Sequence, residues 1–459
     1  TKQEGGNMER VFDLDETLAS VRAALEVGNF QAAVGVLEQL RPADQAEVFS
    51  ELDEQDQEEL LPQMDEEDSA DILEWMDDQE AADLAESLSD QDLVRIIDEM
   101  EPDEAADLLG DLPPERTSAI LAALEDPDEI RPLLVHPEDT AGGIMTSEFM
   151  ALRRRMTISD ALTAVRLWAP DPRAETVYTL YVADAQGLLC GVVTLYELLS
   201  APPDALVRDI MRSDVIAIEA SADQEEAARR MTRYELLSLP VVNADGRLLG
   251  IITHSDVVEV IEAEATEDIQ RLGGAQPLTR AYLSTSVMQV ARSRVGWLLL
   301  LFLTETLTGT VLRVFEGELK AEVALAFFVP LLIGTGGNAG SQSTSTIIRA
   351  LAIGEIALRD AFHTLWHELR TGIVLGVVMS AVGVVRALLW HTNPGVALAV
   401  GVGLLLIVIW ANIVGSLLPL LATRLKVDPA IVSGPFMSTL VDATGLFIYL
   451  SVAKLILGL

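Results

Sequence analysis

Thiol and imidazole are scarce in this chain, which has one cysteine, Cys190, and five histidines among 459 residues. A lone thiol excludes an internal disulfide framework and suits a reducing compartment. The histidines and Cys190 show no close spacing in the apolar half, which argues against zinc or copper as a designed substrate. There is no Gly-rich phosphate cradle, no Ser/His/Asp grouping and no closed zinc spacing, so an enzyme is not expected. The first residues are acidic and lack an apolar core, so no cleavable signal peptide is expected. The sequence opens at Thr1, with Met8 a candidate natural start. Positive charge is also short: 31 Lys and Arg stand against 72 Asp and Glu, a net of −41.

The deficit is local. Residues 1–140 hold 42 acids and 7 bases, residues 141–280 hold 21 and 13, and residues 281–459 hold 9 and 11. These nets of −35, −8 and +2 mark separate segments. Acid at the first density attracts cations and repels nucleic acid, so no nucleic-acid partner is expected. A merely solubilising surface would explain the acidity but not its confinement to one end.

Within the acidic third, Leu or Met recurs every twelve residues: Leu40, Leu52, Met64, Met76, Leu88, Met100, Leu112 and Leu124. Apolar pairs keep the same step, from Val48/Phe49 and Leu60/Leu61 to Ile120/Leu121, weakening once at Leu84/Ala85. Residues that favour helix starts open the units, at Pro42, Asp53, Asp65, Asp77, Ser89, Pro102 and Pro113. Each unit is then a two-turn helix and a turn. Helices this short cannot stand alone, so they must stack, which predicts an all-α solenoid over residues 1–138.

A second self-similarity spans residues 139–262. Gly143-Ile-Met-Thr, a helix from Ser159, an apolar run to Gly187, then Gly191-Val-Val-Thr194 and Glu197 form the first copy. Asp209-Ile-Met-Arg, a helix from Asp223, an apolar run to Gly246, then Gly250-Ile-Ile-Thr253 and Asp256 form the second. Apolar runs on either side of Asp245-Gly246 predict a strand pair with a tight turn. The doubled pattern resembles a tandem pair of α/β CBS domains. That resemblance makes ATP a candidate ligand of the cleft between repeats, near Tyr178, Thr194 and Glu197. A dimerising scaffold is the alternative.

Five apolar stretches follow, about Val295–Val314, Val323–Ala350, Thr371–Leu389, Val396–Ala422 and Ile431–Leu457. Each is long enough to cross about 30 Å of hydrocarbon, which predicts a five-helix transmembrane domain over 295–459 in contact with the lipid bilayer. Arg349, Arg359 and Arg370 in the second loop, and Arg424 and Lys426 in the fourth, place those loops and the N-terminus in the cytosol. Arg313 and Arg386 near the outer ends fit that bias less well. Between the halves, Val257, Val260, Ile261 and Ala265 keep helical spacing, so residues 263–294 are expected to hold a connecting helix.

Two carboxylates, Glu305 and Asp442, fall well inside apolar stretches. Ionisable groups at that depth cost about 2.5 kcal/mol or more and mark ion paths. Gly434-Pro435 opens the segment of Asp442, so the backbone there is expected to leave regular helix and free carbonyls toward water. Gly334–Thr346 holds thirteen successive small or polar residues before the next large apolar one, which suggests a wet lining. Carbonyl, amide, hydroxyl and carboxylate oxygens together make hard-cation chemistry.

The order of solenoid, CBS pair, connecting helix and five membrane helices resembles the MgtE family of magnesium channels. Pro330-Leu-Leu-Ile-Gly-Thr-Gly-Gly-Asn-Ala-Gly-Ser-Gln-Ser, Glu262-Ala-Glu-Ala-Thr-Glu-Asp-Ile, Val427-Asp-Pro-Ala and Ser438-Thr-Leu-Val-Asp-Ala-Thr-Gly carry the resemblance. It implies a homodimer in the bacterial cytoplasmic (inner) membrane, with the pore on the two-fold axis. It implies that Asp442 holds a largely hydrated Mg2+, that Gly334, Gly337 and Asn338 lie near it, and that Asp428 stands at the cytosolic mouth. Ser341 and Ser345 depart from the Asn and Thr expected there. Regulatory Mg2+ is implied at Asp71, Asp103, Asp107, Glu225, Glu235, Asp256, Glu259, Glu264, Glu267 and Asp268. Glu305 is outside the family pattern. The reading is a magnesium-selective channel closed by cytosolic magnesium; the alternative is a secondary-active divalent-cation carrier coupled to sodium or protons.

Overall fold

In the acidic third each short helix carries its own start signal. At the N-caps, Asp65 accepts from the Glu67 amide and Ser89 from the Asp92 amide, while Pro42 and Pro102 occupy first turns that need no intrahelical N–H. The computed structural model describes residues 13–168, 178–278, 282, 285–432 and 434–459. Among these residues ten helices, α1 (Leu14–Glu26) to α10 (Pro127–Ile130), precede the first strand. From α3 (Pro42–Ser50) onward, each of several helices packs on the helix two places along: α3 on α5 (Glu66–Glu74), α5 on α7 (Asp90–Ile97), α6 (Asp78–Ser87) on α8 (Pro102–Asp111). That is solenoid stacking. Leu52, Met64, Met76, Leu88, Met100, Leu112 and Leu124 are all buried. Leu84 and Ala85 are buried too, so the irregular unit changes side-chain volume and keeps the core.

The doubled pattern folds into two matching three-stranded sheets, ordered β1-β2-β3 and β4-β5-β6. The first copy runs β1 (Ala151–Arg153), α11 (Ile158–Trp168), β2 (Thr179–Ala183), β3 (Leu189–Thr194) and α12 (Leu195–Ser200). After α13 (Val207–Ile210), the second copy runs β4 (Ile218–Glu219), α14 (Gln224–Tyr234), β5 (Leu239–Val242) and β6 (Leu248–Ile252). In each sheet the first pair is parallel and the second antiparallel. The turns place Gly187 and Gly246 at φ +81° and +80°, a conformation that side chains disfavour.

The repeated Ile-Met motif crosses between the copies. Thr146 bridges Ile251 on β6, and Arg212 bridges Val192 on β3. Gly191 and Gly250 permit that crossing. A Cβ at Gly250 would meet Thr146 O at 2.6 Å and Met145 Sδ at 2.8 Å; one at Gly191 would meet Met211 Sδ at 2.8 Å and Arg212 O at 2.9 Å. Gly250→Val is therefore expected to destabilise this module by about 2–3 kcal/mol, because backbone must move to admit the side chain. Urea unfolding of the purified protein, followed by circular dichroism, checks it; an unchanged first transition would refute the crossing as the reason for glycine.

The chain divides into two compact units, the first reaching Glu262 and the second taking over at Ala263. Helix α15 (His254–Leu272) starts inside the stretch assigned to the CBS pair, because the Thr253–Asp256 cap launches it straight from β6. In the second unit, α16 (Val287–Val314), α18 (Ala324–Ala352), α19 (Ala361–Leu389), α20 (Pro394–Arg424) and α21 (Gly434–Leu457) are long and apolar enough to cross a membrane, with short α17 (Glu316–Ala321) between the first two. Helices α16 and α19 start earlier than Val295 and Thr371. Their first turns carry Arg292 and Arg294, and His363, His367 and Arg370, which hydropathy alone discards. Helix α20 is buried among α18, α19 and α21, while α16 packs on α21. Arg386 lies 4.8 Å from the Trp390 ring centre, which gives that guanidinium a cation–π partner.

One expectation fails. Helix α21 is unbroken from Gly434 past Gly445; α18, where no break was expected, is also continuous through Gly334–Thr346. Their carbonyls are engaged in ordinary helical bonds, since Pro435 sits in the first turn, where helices tolerate it. Inside α18 it is Pro330 that removes an N–H.

Candidate ion-binding sites

Helix α18 presents two faces. Its inner face packs through small residues: a Cβ at Gly336 would lie 2.6 Å from Ile407, and one at Gly415 on α20 would lie 2.6 Å from Gly340 O. Thr344 Oγ1 donates to Gly415 O at 3.0 Å, and Ser343 Oγ to Glu368 Oε2 at 2.8 Å. Close packing thus accounts for half of the small-residue run. The other face, Gly334, Asn338 and Ser345, recurs at helical spacing and stays exposed. Ser341, between them, donates to Gly434 O at 3.1 Å and lies 3.3 Å from Ser438 Oγ. Gly337 is buried, because α21 needs the space: a Cβ there would sit 3.1 Å from Ser438 Oγ.

Asp442 lies one turn beyond Ser438, half-buried. Among the described residues no Lys, Arg or His forms an ion pair with Asp442 or with Glu305. Asp428 caps the turn Pro429–Ile431, accepting from the Ala430 amide at 2.8 Å, and also pairs with Arg271. Arg271 pairs with Glu267 as well. Beside them, Asp268 is raised above the ordinary carboxylate range by burial and by the charge of Asp428, with Arg271 opposing.

Two membrane-half features escaped the sequence reading. Glu368, a third carboxylate within a long helix, is nearly enclosed (12% exposed) and takes the Ser343 hydroxyl. His363 and His367 are one turn apart on α19, so the histidines there are not all dispersed; both line an open cavity of about 790 Å³ with Arg349, Glu355 and Asp360. The HxxxH spacing could have been read directly.

The first unit gathers acid against acid. Asp103 on α8 is 6% exposed, and its Oδ1 has no hydrogen-bond partner. Burial, then Asp256 on α15, then Glu101, lift its carboxyl well above the usual range. Glu104 is lifted likewise, by burial first and then by Asp103 and Glu259. Asp107 and Glu259 touch water at the rim, yet the surrounding protein and neighbouring carboxylates push both up to about 7; Asp78 acts on both. Glu138 is raised by burial and by Asp111 and Asp78. Asp256 is raised by burial although Thr253 donates to it from its amide at 2.7 Å and its hydroxyl at 2.6 Å.

Of the residues expected to hold regulatory ions, Asp103, Asp107, Asp256 and Glu259 therefore come together in one seam. Asp78, Glu104, Asp111 and Glu138 join them unforeseen. The spacing Asp103, Asp107, Asp111 on one helix face was a signal available in the sequence. Asp71 lies on α5, Glu225 pairs with Arg229 at 3.4 Å on α14, Glu235 ends α14 in a left-handed turn, and Glu264 lies further along α15. Tyr178 is exposed; Thr194 and Glu197 satisfy one another in a capping box, and Glu197 lies 3.7 Å from Arg212. Among the described residues no three His, Cys, Asp or Glu side chains are arranged as a closed metal cage. Magnesium does not require one, since it usually keeps several waters and takes one or two carboxylates.

Comparison with known proteins matches these parts separately. Residues 329–452 fit a family described as divalent cation transporter, residues 40–139 the MgtE intracellular N domain, and residues 207–263 the CBS domain. The magnesium transporter MgtE of Thermus thermophilus is 46% identical over 329 residues, 72% of each chain. That of Bacillus subtilis is 34% identical over 325 residues, 71% of each. A crystal structure of the cytosolic domain of the Mg2+ channel MgtE in complex with ATP is 35% identical, with a TM-score of 0.50, covering 53% of this chain and 99% of that one. The five apolar helices and these bacterial relatives make this a multi-pass membrane protein. With carboxylates set within the membrane-spanning helices, an acid seam outside them and this degree of identity, the chain belongs to the MgtE family of magnesium transporters.

Proposed function

We propose that the chain is one subunit of a homodimeric, magnesium-selective channel of the bacterial inner membrane, closed by magnesium bound to its cytosolic half. The acid seam carries this reading. Folding that buries Asp103 with an unpartnered oxygen and crowds it with Asp256, Glu104 and Glu259 is unfavourable unless a cation joins them. At low cytosolic magnesium the carboxylates repel and the seam loosens. Magnesium bridges them, and the more ion-rich state, with α15 fixed, is the closed one. Gly334, Gly337, Asn338 and Asp442 are the proposed path, with Asp428 at its cytosolic mouth. Asp71, Glu225, Glu235, Glu264, Glu267 and Asp268 are proposed as further regulatory ligands. The ATP-bound relative makes ATP a second proposed ligand of the CBS pair.

Patch recording from liposomes, with magnesium the sole permeant cation, tests the reading. Large single-channel events are expected, and they should vanish as cytosolic magnesium is stepped upward. Silent patches together with uptake that follows a sodium or proton gradient would replace the channel by a carrier.

A further inference from the structure

Glu305 is exposed on the chain's own surface in the middle of a helix long and apolar enough to span a membrane. Two ring contacts fix how that helix, α16, lies along α21. Trp297 is 6.4 Å from Phe436 and Phe315 is 5.8 Å from Phe447, so the helices run in the same direction. Glu305 falls between the first members of these pairs and Asp442 between the second, so the two carboxylates stand at the same stretch of the helix pair. Of the hydroxyls around Glu305, Thr304 donates to Leu301 O at 2.8 Å and Thr306 to Leu303 O at 2.5 Å. Thr308 shares the Glu305 face one turn on, is 5% exposed, and its hydroxyl has no partner.

A carboxylate at membrane depth is costly, and a second carboxylate within reach adds repulsion. No basic side chain among the described residues relieves either one. A divalent cation balances both charges, whereas a monovalent one leaves a carboxylate uncompensated. We propose that Glu305 is a second ion-path carboxylate, set beside Asp442 and served by the Thr308 hydroxyl, that raises the preference for divalent over monovalent cations. This rests on the reading of Asp442 as an ion-path residue.

The test is magnesium uptake by the full-length protein in liposomes, at fixed membrane potential, with sodium as competitor. Glu305→Gln, nearly the same in shape, is expected to raise the half-saturating magnesium concentration about tenfold and to admit sodium; Glu305→Asp is expected to stay within about threefold of wild type. A Gln variant with wild-type half-saturation and sodium exclusion overturns the proposal. Asp442→Asn, measured in parallel, separates the two readings. If it too behaves as wild type, the path itself is misplaced; if it fails while Glu305→Gln does not, only the role of Glu305 falls. Should the Gln variant not fold, Thr308→Val decides, with a two- to threefold rise expected and no change overturning.

Discussion

Asp442→Asn is expected to reduce magnesium transport at least a hundredfold while leaving the protein folded. The substitution keeps the side chain's shape and removes its charge. Asp442 is half-buried and has no basic partner among the described residues, so its charge is available to a passing ion. Through one water layer, at about 5 Å and an effective dielectric near 20, a carboxylate and a divalent cation attract by about 7 kcal/mol before desolvation is subtracted. Retaining only about 3 kcal/mol of that makes a hundredfold difference in occupancy. Asn offers a carbonyl dipole in its place, which hydrated magnesium, reluctant to shed water, exploits poorly. Fluorescent-dye uptake into liposomes measures the rate, and size-exclusion chromatography confirms assembly. Transport at the wild-type rate would remove Asp442 from the path.

How the fold could be read differs between the halves for a physical reason. The solenoid was legible to the residue, because its twelve-residue period is set by the same groups that start each helix and fill its core: Asp65 and Ser89 cap, and Met64 and Met100 are buried. The CBS pair was legible because it occurs twice, although the reason for Gly191 and Gly250 was not. Their neighbours, Met211 and Met145, come from the opposite copy, a long-range approach that no local pattern encodes. In the membrane half, hydropathy found five spans but cut α16 and α19 short, since helix continues through polar first turns. Gly434-Pro435 was expected to take the backbone out of regular helix, yet α21 continues through it. Of the run Gly334–Thr346, read as a wet lining, part packs on neighbouring helices, as Ser343 with Glu368 and Thr344 with Gly415 show. The acid seam was half legible. Composition shows that acids abound, and spacing shows which share a helix face, but only folding brings α8 to α15 and leaves an Asp103 oxygen without a partner.

That seam predicts opposing effects of pH and magnesium. Asp107 and Glu259 have folded-state values of about 7, against ordinary carboxylate values near 4. A raised carboxyl binds more protons in the closed seam than in an opened or unfolded one, so stability falls as pH rises between about 4 and 7 and stays low above. From pH 6 to 8 each group costs at most about 1.4 kcal/mol, and contact with solvent roughly halves that, leaving about 1.4 kcal/mol for the pair. In chelator, the purified protein should therefore be cleaved about tenfold faster at the seam at pH 8 than at pH 6. Millimolar magnesium should erase the difference, because the cation takes the place of the protons. Asp107→Asn with Glu259→Gln removes these two groups and leaves Asp103 and Glu104, whose carboxyls are also raised. That double variant should show a smaller difference in cleavage between pH 6 and pH 8 than the wild type, gain less from magnesium, and need about tenfold more cytosolic magnesium to close. Wild-type protein that is cleaved at one rate across this range, or a double variant still fully protected by magnesium, would mean that these carboxylates do not hold the ion that shuts the pore.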